Sequence, residues 1–201
     1  ESAAMTDEVG FGFYYQPNFA PEIVGLADRR DQMGVRTFVN TIETLANPAG
    51  ASVHLGSFYH LPYAKRIIDT FRAAETADVD RVVMFQGLEG YDDVRPGSTK
   101  VAVWDDGGEI DDFDVETPEY GMDFESEDLS VEDVAADSAA ITEEVLEGER
   151  EDRFADAVAV NAALRIYAGG DADDIASGLE TAREAIQTGE AAERLEALRA
   201  F

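Results

Sequence analysis

Cysteine is absent from the 201 residues, and long apolar runs are absent too. Without thiols the chain forms no disulfide, no thiolate metal site and no cysteine nucleophile. A membrane-spanning helix needs about 18 or more consecutive apolar residues, and no stretch approaches that length. No signal peptide is recognisable, and the first residue is Glu1 rather than methionine. We therefore predict a cytoplasmic protein with no membrane partner.

Positive charge is scarce. Lysine and arginine together number 15 against 44 aspartates and glutamates, which gives a formal net charge of −29. So negative a field repels phosphate backbones and anionic lipids, which makes nucleic acid an unfavourable partner. Two interpretations of the charge remain, an acidic protein of ordinary origin and a halophilic one of the archaeal type. The second is favoured, because the net charge far exceeds what solubility requires.

Two apolar segments separated by a helical pattern predict a parallel pair of strands. The segment from Val53 to Tyr59 is predicted as a strand, and Arg81 to Gln86 as a second one. Between them, Pro62 to Ala77 has the periodicity of an amphipathic helix, with Ala64, Ile67, Ile68 and Phe71 on its apolar face. A strand, a helix and a strand at this spacing predict a βαβ unit, in which the two strands are parallel.

The rest of the chain predicts a hairpin and a helical C-terminus. The sequence DDGG at 105–108 separates two strand patterns and is typical of a tight hairpin turn. From Ser130 onward the pattern is helical, starting with a capping box formed by Ser130 and Asp133. Earlier helices are predicted from Pro21 to Met33 and around Phe38 to Leu45. We expect residues 1–201 to form a single α/β domain with a mixed sheet, flanking helices and a helical C-terminus.

Paired carboxylates follow the second predicted strand. Asp92 and Asp93 lie in a glycine-rich loop at its carboxyl end, where ligands bind in open α/β sheets. Adjacent carboxylates suit Mg²⁺, which takes one or two of them together with substrate phosphates. The alternative is that they are two more acids among 44.

Arginine and histidine provide the other candidates. Arg29, Arg30 and Arg36 form a cationic island that can hold a carboxylate or phosphate, or else form salt bridges within a helix. His54 and His60 flank the first strand and lack a third ligand at metal spacing, so a structural role is favoured for both.

Several motifs in register resemble anthranilate phosphoribosyltransferase, of the nucleoside phosphorylase and phosphoribosyltransferase fold. They are GFGF at 10–13, MGVRT at 33–37, LANPA at 45–49, QGLEGYDD at 86–93 and NAA at 161–163. The resemblance extends from about Gly10 to Leu198 and corresponds to the C-terminal α/β portion of that family. It implies transfer of the phosphoribosyl group of phosphoribosyl pyrophosphate to anthranilate, in tryptophan biosynthesis.

The resemblance also implies roles for three residues. Asp92 and Asp93 match the acidic pair that holds Mg²⁺ against the pyrophosphate, and Arg30 matches the arginine that pairs with the anthranilate carboxylate. It implies no nucleophilic side chain, because the amine of the acceptor attacks the ribosyl carbon. A homodimer is expected for the full-length protein.

Four positions depart from the family pattern, and one of them is Asp93, which stands where a glutamate is usual. Ala20 stands where a histidine is usual, and Glu43 and Thr44 replace a Gly-Pro pair that lines the acceptor pocket. Loss of the histidine and of Gly-Pro is shared by the family's non-biosynthetic paralogues, so a ligand- or nucleic-acid-binding protein without anthranilate activity is the alternative function. The family's helical N-terminal domain and its G-T-G-G-D phosphate loop have no counterpart here, so we expect this chain alone to be an inactive fragment.

Overall fold

The described part of the protein is built around a mixed β-sheet flanked by helices. The computed structural model describes residues 1–26, 32, 43–74, 78–87 and 93–201. Among them the sheet has the strand order β1-β2-β3-β4. Its strands are β1 (Val53–Phe58), β2 (Arg81–Gln86), β3 (Ser98–Asp105) and β4 (Asp111–Glu116). This architecture confirms the predicted fold class.

The parallel pair forms as its sequence pattern predicts. Strand β1 pairs with β2 in parallel register, from Val53 opposite Arg81 to Phe58 opposite Gln86. Helix α4 (Leu61–Ala73) connects them, after the short helices α1 (Ser2–Val9), α2 (Gln16–Phe19) and α3 (Pro21–Val24).

Helix α4 begins where proline is best tolerated. Pro62 lies in its first turn, where a missing backbone N–H costs nothing. The helix buries the predicted face of Ala64, Ile67, Ile68 and Phe71, and each large side chain contributes roughly 1.5–3 kcal/mol. It ends at Ala73 because Ala74 has an extended backbone. The predicted extension to Ala77 is therefore wrong at Ala74, and residues 75–77 lie outside the described ranges.

Alternating side chains divide the core between the two faces of the sheet. Val82, Met84, Ala102 and Trp104 pack with α4 on one face. The opposite face packs against α6 (Arg153–Gly169) and α7 (Ile175–Gln187) through Val83, Phe85, Val101, Val103, Val115, Val160 and Leu164. Because successive residues of a strand point to opposite faces, both hydrophobic clusters share β2 and β3.

In the described part of the chain, β4 is an outer strand of the sheet, and it carries a row of acids. Strands β3 and β4 pair antiparallel and form the hairpin that the DDGG sequence predicts. Gly107 takes a φ of 75° in the turn between them. Asp112, Asp114 and Glu116 share one side of β4. Lys100 on β3 lies 3.2 Å from Asp112 and 3.1 Å from Asp114. These bonds raise the pKa of the Lys100 ammonium group.

The C-terminal helices are capped by aspartates. Helix α5 (Val134–Leu146) has Asp133 as its N-cap, and the Asp133 side chain accepts the Ala136 N–H. The predicted start at Ser130 is therefore wrong, because Asp133 supplies the cap, and a 3₁₀ turn (Ser126–Leu129) precedes Ser130. Asp152 and Asp174 cap α6 and α7 in the same way. Helix α8 (Glu190–Ala200) follows, and no described helix is long and apolar enough to span a membrane.

The N-terminal segment packs on the last helix. The Arg194 guanidinium of α8 donates to the Val9 carbonyl at the end of α1. Helix α3 covers the beginning of the helix predicted from Pro21 to Met33, and residues 27–31 and 33 lie outside the described ranges. Most of the helix predicted around Phe38 to Leu45 lies outside them as well.

Candidate functional site

The carboxyl ends of β1 and β2 meet at one edge of the sheet. Phe58 and Gln86 are the last paired residues of the two strands. Gly87, which follows β2, forms an antiparallel bridge with Val94. Asp93 therefore lies beside the end of β2, where its side chain is exposed. This is the edge at which the sequence pattern predicts a ligand site, and the metal-binding role of Asp93 stays a prediction.

Gln86 joins the two strand ends to the chain that follows Asp93. Its Nε2 donates to the Tyr59 carbonyl at 3.3 Å, and its Oε1 accepts from Arg95 Nη2 at 3.1 Å. Arg95 Nε also donates to the Ser98 carbonyl at 2.8 Å, at the start of β3. The guanidinium of Arg95 is thus occupied on two sides and is fixed against the strand ends.

Asn161 approaches the same segment from helix α6. Its Oδ1 accepts the Val94 N–H at 2.9 Å, across 67 positions of sequence. Its Nδ2 donates to the Ala157 carbonyl at 2.9 Å, one helical turn earlier. Arg165 Nη1 donates to both the backbone oxygen and Oδ1 of Asn161, at 2.8 and 3.3 Å. The site is therefore bounded by the sheet edge and by α6.

Two of the three predicted site residues fall outside the described part of the chain. Arg30 and Asp92 lie outside the described residues, as do Arg29 and Arg36. Within the described ranges, no three histidines or carboxylates are close enough to hold a metal ion together. Asp93 is thus the one predicted site residue whose position is described.

Two of the positions that depart from the family pattern, Ala20 and Glu43, are linked through Gln16. Gln16 Nε2 donates to Glu43 Oε1 at 3.2 Å, and the Gln16 carbonyl accepts the Ala20 N–H at 2.9 Å. Thr44 Oγ1 accepts from the Tyr63 hydroxyl at 3.1 Å, at the beginning of α4. Glu43 is consequently held near the turn that contains Ala20.

The imidazole of His54, on β1, packs against Phe71 of helix α4. Its imidazole lies 4.5 Å from the Phe71 ring, centroid to centroid, and its Nε2 is buried with no hydrogen-bond partner among the described residues. Burial lowers the pKa of His54, and a hydrogen bond with the Thr44 backbone only partly opposes that effect. This environment is typical of a structural histidine that stays neutral.

The comparisons with known proteins identify the family. The chain matches the model of the glycosyl transferase family, a/b domain, over residues 1–192. The chain belongs to this family. A relative from Natronomonas pharaonis named anthranilate phosphoribosyltransferase is 33% identical over 97% of this chain and 57% of its own length. The resemblance read from the motifs is thereby confirmed.

Solved structures of the glycosyl transferase family show the same architecture. The anthranilate phosphoribosyltransferase from Thermus thermophilus superposes with a TM-score of 0.77 at 28% identity, over 96% of this chain and 56% of that one. A variant of the enzyme from Saccharomyces cerevisiae with Mg bound has a TM-score of 0.70 at 21% identity, over 87% of this chain and 50% of that one. The chain thus spans little more than half the length of its relatives.

Sequence reasoning did not find the residues that hold the site together. Gln86 and Asn161 appear within the quoted motifs, but no local pattern connects them to Val94 or Arg95. One signal was available: Arg95 is one of only 15 basic residues, and it stands two positions after the acidic pair. An arginine is rare in so acidic a chain, and its position beside paired carboxylates indicates that Arg95 has a structural role.

Proposed function

We propose that this chain is the α/β part of an anthranilate phosphoribosyltransferase of tryptophan biosynthesis. The protein transfers the phosphoribosyl group of phosphoribosyl pyrophosphate to anthranilate and releases pyrophosphate. The observation that carries the proposal is the similarity of nearly the whole of this chain to just over half the length of a protein of that name, with Asp93 at the carboxyl edge of the parallel strands. Residues 1–201 form one unit in this proposal, because both hydrophobic clusters share the same strands. The cytoplasmic location and the homodimer expected above belong to it as well.

The donor atoms at Asp93 suit magnesium. Mg²⁺ prefers oxygen ligands and usually binds through one or two carboxylates, water and substrate phosphates. Asp93 offers an exposed carboxylate, and the described residues contain no cage of three acids or histidines. Such a site fits a metal that arrives with a phosphorylated substrate. Asp92 and Asp93 hold Mg²⁺ in this proposal, and the bound ion neutralises charge on the leaving pyrophosphate.

The acceptor is oriented by Arg30. A guanidinium binds a carboxylate through two parallel hydrogen bonds, which fixes the plane of an aromatic acid. The amine of the acceptor is itself the nucleophile, so the protein contributes position and charge compensation. No side chain has to form a covalent bond. With only 15 basic residues against 44 acidic ones, an arginine at the acceptor is one of few cations that the chain can offer.

A second function is favoured by Glu43. Its carboxylate lies within 3.2 Å of Gln16 and close in sequence to Thr44, where the family pattern has Gly-Pro. A carboxylate near an anionic acceptor repels it. The second candidate is therefore a paralogue that binds another ligand and lacks anthranilate activity.

Calorimetry of phosphoribosyl pyrophosphate with Mg²⁺ in molar KCl tests the proposal. We use the protein that carries this chain, and compare it with the variant Asp92→Asn, Asp93→Asn. We expect affinity to fall about tenfold or more, because a lost charged interaction costs about 1.5–3 kcal/mol. Asp106→Asn is the matched control, since it also removes an exposed negative charge, in the β3–β4 turn.

The outcomes separate the two functions. Unchanged binding in the double variant overturns the metal role of the acidic pair. Binding with turnover of another aromatic acid or amine, but not of anthranilate, keeps the reaction and changes the acceptor. No binding of phosphoribosyl pyrophosphate in the wild type supports the binding paralogue.

A further inference from the structure

The segment after Asp93 is held by more contacts than a surface loop requires. Val94 is 3% exposed, and its N–H is accepted by Asn161 Oδ1 at 2.9 Å. The N–H of Arg95 donates to Thr99 Oγ1 at 3.3 Å, and Thr99 is fully buried. Two successive backbone groups are therefore tied to two different elements, α6 and β3.

Neither carboxamide group of this arrangement is free to rotate. Asn161 uses its amide nitrogen on Ala157 and its oxygen on Val94, with Arg165 donating to the same oxygen. Gln86 uses its nitrogen on Tyr59 and its oxygen on Arg95. Because each end of each amide has a partner, both side chains have a single favourable orientation.

The local charge explains why such support is needed. Asp92 and Asp93 are adjacent in a chain with a net charge of −29, so without a cation their carboxylates repel each other and their surroundings. A backbone held only by its neighbours would let those carboxylates move apart, and metal binding would then have to reorder them. An anchor formed during folding removes that cost.

We propose that Asn161 and Arg95 are positioning residues for the carboxylate of Asp93. The inference rests on the proposed function, since it assigns the supporting contacts of the same metal site. Asn161 fixes the backbone of Val94, immediately after Asp93. The Arg95 side chain attaches the following position to Gln86, at the ends of β1 and β2. An asparagine serves here better than an aspartate because it donates to Ala157 without adding another negative charge.

The test compares Asn161→Leu with Asn161→Asp in the protein that carries this chain. Leucine has a similar size but no acceptor, so the Val94 N–H loses its partner. In ligand-free Asn161→Leu, we expect the Val94 N–H to exchange with solvent at least ten times faster than in the wild type. Affinity for phosphoribosyl pyrophosphate with Mg²⁺ should fall about tenfold to a hundredfold, as for other residues that support metal ligands. Asn161→Asp keeps an oxygen that can accept the Val94 N–H and should retain Val94 protection, while it loses the donor to the Ala157 carbonyl.

Two further variants keep the test decisive. Asp156→Asn is the control, because it removes the negative charge from a 3.1 Å ion pair between α6 and Arg183, on α7, and does not change the contacts of Val94. We expect it to bind like the wild type. Arg95→Met gives an independent measurement if Asn161→Leu does not fold, and the same loss of affinity is expected.

The pattern of results distinguishes this inference from the proposed function. If the wild type binds phosphoribosyl pyrophosphate with Mg²⁺, and Asn161→Leu and Arg95→Met bind equally well, the positioning role is overturned while the function stands. If the wild type itself shows no magnesium-dependent binding, the function and the inference both fall. Slow Val94 exchange in Asn161→Leu also contradicts the inference.

Discussion

At the scale of single residues, the local sequence pattern located Asp93 but not the residues that hold the backbone beside it. The position of Asp93 at the strand end follows from the glycine-rich sequence after an apolar strand, and the structure places it there. The contact between Val94 and Asn161 joins residues 67 positions apart, so neither periodicity nor spacing contains it. Arg30 and Asp92 lie outside the described residues, and their roles stay predictions.

The buried imidazole of His54 predicts a dependence of stability on pH. Burial lowers its pKa below 6.5 in the folded chain, so below about pH 6.5 the unfolded state binds more protons than the folded state. The free energy of unfolding should therefore decrease as pH falls from 6.5 towards the folded pKa, by at most about 1.4 kcal/mol per pH unit from this group.

Urea unfolding of the wild type and His54→Leu in molar KCl measures this effect. The difference in unfolding free energy between the two proteins should change in favour of the variant between pH 7.5 and 5. Between pH 7.5 and 8.5 it should be constant, which serves as the internal control. A constant difference over the whole range would contradict the buried, neutral state of His54.

At the scale of elements, the sequence predicted the bounds of strand β2 more accurately than the first residue of helix α5. Strand β2 has its predicted bounds because a run of apolar and β-branched residues stands between polar ones. Helix α5 begins at Val134 rather than near Ser130, since several acids in that segment can act as a cap and the sequence pattern does not choose between them. Asp152 and Asp174 cap α6 and α7, where their side chains accept N–H groups of the first turn.

The crossing of α6 and α7 predicts that Gly178 does not tolerate a side chain. A Cβ built there would lie 2.7 Å from the Ala163 carbonyl oxygen, so the two helices must separate to accept it. We expect Gly178→Ala to destabilise the protein by about 1–3 kcal/mol, although alanine favours helices. Urea denaturation measures the change.

Gly169→Ala, near the end of α6, is the matched control. Its Cβ would meet only the Asp171 carboxylate at 3.4 Å, at the end of a side chain that can move. That substitution should leave stability unchanged or raise it by less than about 1 kcal/mol. Equal effects of the two substitutions would show that the helices are not in close contact at Gly178.

At the scale of the whole molecule, the fold class and family were predictable and the charge is a separate property. Several weak motifs in register identified the family, and the two-faced sheet agrees with it. The net charge of −29 is carried by surface carboxylates and leaves that core unaffected. It bears on the solution conditions in which the fold is stable, and the halophilic origin stays a prediction.

Repulsion between those carboxylates predicts that salt stabilises the fold. The screening length falls from about 30 Å at 0.01 M salt to about 3 Å at 1 M, so self-repulsion is largely removed. A gain of about 3 kcal/mol would raise the melting temperature by roughly 6–12 °C in a chain of this size. Thermal melts in KCl from 10 mM to 3 M, without magnesium, measure it.

Sucrose at matched osmolality controls for solutes that stabilise proteins by exclusion from the surface. Salt should raise the melting temperature well beyond sucrose. A melting temperature that is independent of KCl would contradict adaptation to molar salt.

The acidic row on strand β4 also has a consequence for self-association. An outer strand presents unpaired backbone groups to which another chain can add, which is a common origin of aggregation. Asp112, Asp114 and Glu116 repel an approaching copy, and Lys100 offsets only part of their charge. Salt screens this charge repulsion and weakens it. At molar salt, the protection of the strand edge therefore depends on the hydration of these carboxylates rather than on their repulsion.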